Sequence, residues 1–382
     1  MELIFGIVLG LLILVLLVVV HELGHAIVAR RNGVVVEEFG IGFPPRAWGK
    51  KLKNGVLFTL NWLPLGGFVK LQGEHDAANK KGDYGAASFW QKTKILLAGV
   101  AINWIVAAIL LSVLAWSGLP KILPNQFSIP GDTTIAKQPV ELIAITKDSP
   151  AAKAGLKVGD QVVRFAGEPV PSSEQLAAQT KLKKGQEVEI IYSRSGVEQS
   201  TQVKLRGDNA NQQGYLGVGS GQREQIQASW SAPIVGVVTT AQFTLVTLQG
   251  LGDLVVNVVG GVILQFSPDH GVRSQAQQDL STAGNSVAGP IGILGTIFPA
   301  AEQAGPTQLV FLTAIISLTL AVMNVLPIPA LDGGRWFVMA IFRLRKKTLT
   351  KEREEKIQGT GFLILMLLVV VITVADVGKL IR

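Results

Sequence analysis

The chain has 382 residues, 48% of them hydrophobic and only 16% charged, with 35 Lys and Arg against 27 Asp and Glu. Soluble domains average about 25% charged residues, so this composition excludes an ordinary soluble enzyme. The absence of cysteine excludes disulfides and thiolate metal ligands.

In chain order, the first feature is the charge-free run Leu3–Val20. About 20 apolar residues cross a bilayer core of about 30 Å. No Lys or Arg precedes the run, no small-residue cleavage site follows it, and it continues through His21–Val28 into Arg30 and Arg31. It therefore reads as a retained span rather than a signal peptide. Cations at its C-terminal end put the N-terminus outside and Arg30 inside. Residues 33–94 are rich in Gly and Pro, and Val56–Leu63 and Gly67–Leu71 read as short strands around a Pro-Leu-Gly-Gly turn. So many aromatic residues (Phe39, Phe43, Trp48, Phe58, Trp62, Phe68) suit a re-entrant hairpin covered by helices better than a soluble loop.

Ile95–Trp116 is the second span. From Pro120 the composition changes, and Val140–Val218 reads as an α+β domain with strands at Val140–Thr146, Gln161–Phe165 and Val188–Ser193 and a helix at Ser172–Lys181. Trp230–Phe266 is apolar but interrupted by Pro233, Gly236, Gly250, Gly252, Gly260 and Gly261, which favours an amphipathic segment at the outer interface over a further span. Thr307–Leu326 and Gly359–Ala375 complete four spans. The excess cations lie beside them (Arg30, Arg31, Arg46, Lys50, Lys51, Lys53; Arg343, Arg345, Lys346, Lys347). That pattern signals orientation and anionic lipid, not nucleic acid.

The first span ends in His21-Glu22-Leu23-Gly24-His25. Histidines at i and i+4 share one helix face and reach one Zn²⁺, with Glu22 beside it to take a proton from the zinc-bound water. Ionisable groups in a lipid span are costly and mark function. A catalytic zinc needs a third protein ligand. His75 and His270 lie in polar loops, whereas Asp332 follows a span broken by Pro327 and Pro329 and precedes Gly333 and Gly334. On residue context alone it is either that ligand or the solvated end of a helix.

Taken together, His21–His25 on the first span and Asn324…Leu331-Asp332-Gly333-Gly334 at the end of a later one resemble the site-2 proteases, intramembrane zinc metalloproteases. Phe39–Phe43 and Pro64–Phe68 resemble the family's re-entrant β segment, and Gly289–Ile293 its Gly-Pro-x-Gly-Ile element. Asp148–Asp160 resembles the signature turn and helix of bacterial PDZ domains, and Gly214-Tyr215-Leu216-Gly217-Val218 their carboxylate-binding loop, as in members with a single PDZ module. The resemblance implies an α-helical polytopic membrane protein with four transmembrane helices, a membrane re-entrant β segment and one inserted α+β PDZ-like domain. Its expected divisions are a first membrane half (1–117), an extracytoplasmic PDZ-like domain (118–222), an interfacial segment (223–306) and a second membrane half (307–382).

The resemblance further implies one zinc per chain on His21, His25 and Asp332, Glu22 as general base, and Asn324 or Asn103 helping at the oxyanion. An edge strand within Val56–Lys70, including Gly66, Gly67 and Phe68, would hold an unwound substrate. The expected place is the bacterial inner membrane, with termini and PDZ-like domain outside and the active site towards the cytoplasmic leaflet. Implied partners are a single-pass membrane protein (an anti-sigma factor or a remnant signal peptide), the bilayer and an upstream site-1-type protease. The competing reading is a catalytically silent adaptor that binds peptides through its PDZ-like domain.

Overall fold

The computed structural model describes residues 2–194, 196–209 and 214–381. They form two units, Ala115–Ser231 and a second made of Met1–Leu114 with Ala232–Arg382. The larger begins with α1 (Glu2–Arg31), whose helix stops where Gly33 adopts φ +80 and its amide donates to Arg30 O. Two long strands follow, β1 (Val36–Lys51) and β2 (Leu57–Leu71). Each is folded double. Val36–Ile41 has partners in both Leu71–Gly67 and Leu57–Leu60, and Leu57–Leu60 also pairs with Lys51–Trp48. The Gly67–Leu71 leg is thus at a sheet edge, where α1 packs: a Cβ on Gly67 would lie 3.6 Å from Val18 Cγ1 and 3.7 Å from Glu22 Cγ.

Next comes α2 (Phe89–Ser117), antiparallel to α1 at close range. Gly24 makes that approach possible, since a Cβ there would meet Ala98 O at 2.8 Å. The chain then enters the Ala115–Ser231 unit: β3 (Leu119–Pro120), β4 (Thr134–Lys137), β5 (Val140–Ile145), α3 (Pro150–Lys153), β6 (Gln161–Phe165), β7 (Glu168–Pro169), α4 (Ser173–Leu182), β8 (Glu187–Arg194), β9 (Val197–Lys204), β10 (Val218–Gly221) and β11 (Glu224–Gln227). The main sheet has the order β10-β5-β6-β8-β9, with β7 on β6, and a small sheet runs β3-β11-β4. Alternation along β8 sends Val188, Ile190 and Tyr192 into a core with Leu142, Phe165 and Leu176, burial that drives this unit's folding.

Two carboxylates tie its loops. Asp160 accepts from Arg194 Nε (2.7 Å) and Nη2 (2.8 Å) and from the Lys157 amide. Burial alone would raise its pKa, but these donors hold it below the ordinary carboxylate value. Asp132 accepts from the hydroxyls of Ser229 and Ser231 and then from their amides, which pulls it down to about 2. A carboxyl depressed on folding stabilises the native state above its unfolded value of about 3.9, and that contribution disappears as pH falls towards the folded value. Acid exposure between pH of about 4 and 2 is therefore expected to loosen this unit, read as faster amide exchange in β11 and β4. Asp132→Asn is expected to flatten that acid limb; an unchanged acid profile would contradict it.

The chain returns through α5 (Ala232–Leu264), α6 (His270–Ser286), the short α7 (Pro290–Gly292), a π-helical turn (Ile293–Ile297), α8 (Phe298–Gln303), α9 (Pro306–Val325), α10 (Asp332–Leu344) and α11 (Lys351–Ile381). Here the structure differs from the sequence reading. Among the described residues five helices are long and apolar enough to cross a membrane, one more than the four spans expected, and α5 is the additional one. The residues expected to interrupt it do not. Pro233 lies in the first turn, where a missing N–H costs nothing. Gly236 and Gly261 are contact points, the first against Ser112 and the second against Leu280 and Ala276 O.

Early α5 runs beside α2: Gly236 abuts Ser112 and Trp104 Nε1 donates to Thr244 Oγ1 at 3.1 Å. Then α6 folds back on α5, and Phe298 and Pro299 pack into Gly10 and Gly6 near the N-terminal end of α1. Helix α9 therefore starts at the end of the bundle where α2 finished. It is held to α5 by the Phe243–Phe311 ring contact and to α2 by Ser317 Oγ donating to Asn103 O. On α11, Asp376 accepts from the Gly292 amide, and glycine at 289 and 292 leaves room for that carboxylate.

Candidate metal centre

Helix α1 carries His21 and His25 on the face towards α2, while Leu23 points outward, 44% exposed. Helix α9 ends at Val325 because Leu326 precedes Pro327 and takes extended backbone angles. Residues 326–331 then double back so tightly that a Cβ at 333 would lie 2.1 Å from Val325 O and one at 334 would lie 1.9 Å from Ile328 O. Only glycine fits at either position, and together they aim the start of α10 at α1.

Asp332 Oδ2 lies 3.1 Å from His21 Nε2 and 3.2 Å from His25 Nε2, and the two Nε2 atoms are 3.1 Å apart. Zinc–ligand bonds of about 2.0–2.1 Å at the tetrahedral angle give edges of about 3.3 Å. The donor set and its triangle fit a zinc ion. Among the described residues these three form the group able to share a metal. Neither His75 nor His270 belongs to that group; His75 lines the adjoining cavity, and Arg273 Nη2 donates to His270 Nδ1.

His25 Nδ1 donates to Ile95 O at 2.7 Å, and Asn103 contacts His21 Nδ1 at 3.4 Å. Asn103 is wholly buried behind His21, so it is not placed to touch a substrate. Asn324 sits in the last turn of α9, its amide donating to Leu320 O. Glu22 is partly exposed, lies against the Val69 backbone and lines a cavity of about 860 Å³ with His25, Phe68 and Asp332. Gly66 (φ +128) packs on the Phe43 ring and Gly67 on Gly40 O. At the cavity wall Arg335, one turn past Asp332, donates to Glu74 Oε1 (2.9 Å) and Glu354 Oε1 (3.1 Å) and covers the Tyr84 ring.

In the smaller unit, the carbonyls of Tyr215, Leu216 and Gly217 accept from the amides of Arg206, Ala151 and Thr146. Planar trans peptides direct the amides of Leu216, Gly217 and Val218 the opposite way.

Sequence reasoning did not find Gly99, Ile95 or the Arg335 cluster. A Cβ on Gly99 would lie 2.5 Å from His25 Nε2 and 2.6 Å from His21 Nε2. No local signal marks these residues, because their partners are distant in the chain.

A helical bundle of membrane-spanning character with a His–His–Asp triangle defines a membrane metallopeptidase as the class. The model of peptidase family M50 matches residues 9–368, and the chain belongs to that family, the site-2 proteases. It is accordingly a zinc metalloendopeptidase. A Clostridium perfringens relative is 30% identical over 361 residues, covering 94% of this chain and 95% of that protein. Zinc metalloprotease RasP of Geobacillus kaustophilus is 26% identical, over 95% of each chain. Regulator of sigma-W protease RasP of Bacillus subtilis is 25% identical, over 95% of this chain and 96% of that one. The PDZ domain of an SdrC-like protein from Listeria monocytogenes aligns over 25% of this chain and 93% of its own, at 22% identity and TM-score 0.20.

Proposed function

We propose that this chain hydrolyses peptide bonds within or beside transmembrane segments of other membrane proteins, as a step of regulated intramembrane proteolysis. The observation that carries the proposal is the His21–His25–Asp332 triangle, built on the continuation of a charge-free lipid span and opening onto a cavity beside Glu22. One zinc per chain would be held by His21 Nε2, His25 Nε2 and Asp332 Oδ2. When bound, zinc supplies a Lewis acid that acidifies water and polarises the scissile carbonyl. Glu22 takes the proton from the attacking water and returns it to the leaving amine.

Asn324 is partly exposed whereas Asn103 is fully buried, and we assign Asn324, rather than Asn103, to the oxyanion; its amide must turn from Leu320 O to serve. The Gly67–Leu71 edge lies beside Glu22, so an unwound substrate adding there regains backbone hydrogen bonds lost from its own helix. Such a segment needs helix-weakening residues near the cut. Positive charge at Arg30, Arg31 and the α10–α11 connection supports an orientation with that end of the bundle on the cytoplasmic side of a bacterial inner membrane, which would leave the inserted unit on the outer side. The amides of Leu216–Val218, turned away from their hydrogen-bonded carbonyls and leading into the edge strand β10, suit a PDZ-like site for a peptide C-terminus. The relative from Bacillus subtilis is named for regulation of a sigma factor, so an anti-sigma factor is the substrate class we would test first, after trimming by a site-1-type protease.

The test is cleavage of a single-span membrane substrate by the purified protein. Chelation is expected to lower the rate by more than about 100-fold, and one equivalent of Zn²⁺ to restore it. Undiminished cleavage by protein shown to be free of metal would refute the proposal.

A further inference from the structure

The two histidines of the triangle differ in how their outer ring nitrogens are held. For His25 the partner is a backbone carbonyl, Ile95 O, at 2.7 Å. A carbonyl only accepts, so His25 Nδ1 carries the hydrogen and its Nε2 lone pair faces the triangle. For His21 the partner is the Asn103 side chain, with Nδ2 at 3.4 Å from Nδ1. If Nε2 of His21 is also to offer a lone pair, its Nδ1 must carry the hydrogen, and a donor would then face a donor. Asn103 Oδ1, meanwhile, is buried with no hydrogen-bond partner. An orphaned buried acceptor costs about 1–3 kcal/mol. A half-turn of the amide exchanges its O and N within the same volume. It replaces the donor–donor encounter with an Nδ1–H···Oδ1 hydrogen bond, while Nδ2 takes the position that Oδ1 held.

Taking His21 as a zinc ligand, as proposed above, we infer that Asn103 is a positioning residue: its Oδ1 accepts the His21 Nδ1–H and holds the ring in the tautomer whose Nε2 faces His25 and Asp332. The surroundings suit this role. Asn103 is one turn beyond Gly99 on α2, so Gly99 leaves space at the ligating nitrogens while Asn103 supports the ring from behind. Its backbone is pinned from the other side, where the buried Ser317 Oγ donates to Asn103 O at 2.9 Å. Ligating histidines generally donate their second ring N–H to such an acceptor, and losing it weakens metal binding by about 10–100-fold.

The experiment measures zinc affinity of the full chain in detergent by competition with a chromophoric chelator, comparing wild type, Asn103→Leu and Asn103→Asp. Leucine keeps the volume and offers no acceptor; aspartate offers only acceptors. Asn103→Leu is expected to lose about 10–100-fold in affinity with an unchanged melting temperature of the metal-free protein, and Asn103→Asp to stay within about threefold of wild type. Equal affinity of Asn103→Leu and wild type overturns the inference. So does a loss in Asn103→Asp as large as in Asn103→Leu, because it would mean the amide donates.

Should Asn103→Asp not fold, ring-¹⁵N histidine spectra of the zinc-loaded wild type decide instead. They must show a His21 Nδ1–H that exchanges slowly and is lost from that position in Asn103→Leu, and its absence from wild type overturns the inference. A wild type that binds no zinc, or a His21→Ala variant that binds it as tightly, instead overturns the metal centre itself.

Discussion

Glutamine in place of Glu22 is expected to leave zinc content at the wild-type level and to lower cleavage by about 10²–10⁴-fold, the range for loss of a general base. The two side chains have nearly the same shape, and Glu22 is not one of the three groups of the triangle, so the metal should remain. What glutamine cannot do is accept the proton of the attacking water. Glu22 follows His21 directly on α1, beside the triangle, and lines the cavity that a peptide would enter. Metal analysis and turnover of a single-span substrate, measured on one preparation, check both halves. Full turnover would move the base elsewhere, and loss of zinc would make Glu22 part of the metal site.

Alanine at Gly99 is expected to abolish zinc binding, with a fall in affinity above about 100-fold. The added methyl would sit 2.5 Å from His25 Nε2 and 2.6 Å from His21 Nε2, well inside contact distance and on the ligating atoms themselves. To accept it, α1 and α2 would have to separate. Yet Gly24 holds the helices close, and the His25–Ile95 hydrogen bond spans the same interface. Overpacking of this kind costs about 1–3 kcal/mol of stability in addition. The control is Gly250→Ala on α5, where a Cβ meets nothing within 4 Å. It should leave zinc binding alone and stabilise the helix by up to about 1 kcal/mol. Wild-type zinc affinity in Gly99→Ala would show that the two histidines do not ligate through Nε2.

The spacing of His21 and His25 was legible in the sequence because i and i+4 share a face of any α-helix, whatever surrounds it. The apolar runs of α1, α2, α9 and α11 were legible for the same reason: length and the lack of charge are local properties. Asp332 could be singled out by its prolines and glycines, but proximity to the histidines could not, since 311 positions separate it from His21.

Helix α5 shows the limit in the other direction. Its glycines were read as interruptions, because an isolated glycine weakens a helix. In the bundle two of them are where neighbours press closest, and the packing offsets the propensity. The β segment was partly legible as strands. Its doubling into four legs depends on partners on both sides of Val36–Ile41, which alternation along one strand does not encode.

What the sequence determined by itself is therefore the apolar helices α1, α2, α9 and α11, the paired histidines beside Glu22 and the family to compare with, all carried by local patterns. The tertiary structure alone decided that Gly99 must have no side chain, that Ile95 and Asn103 stand behind the two imidazoles, and that the Gly67–Leu71 edge lies beside Glu22. Each of these is a contact between segments far apart in the chain, and such contacts arise only when packing excludes every other place for those atoms.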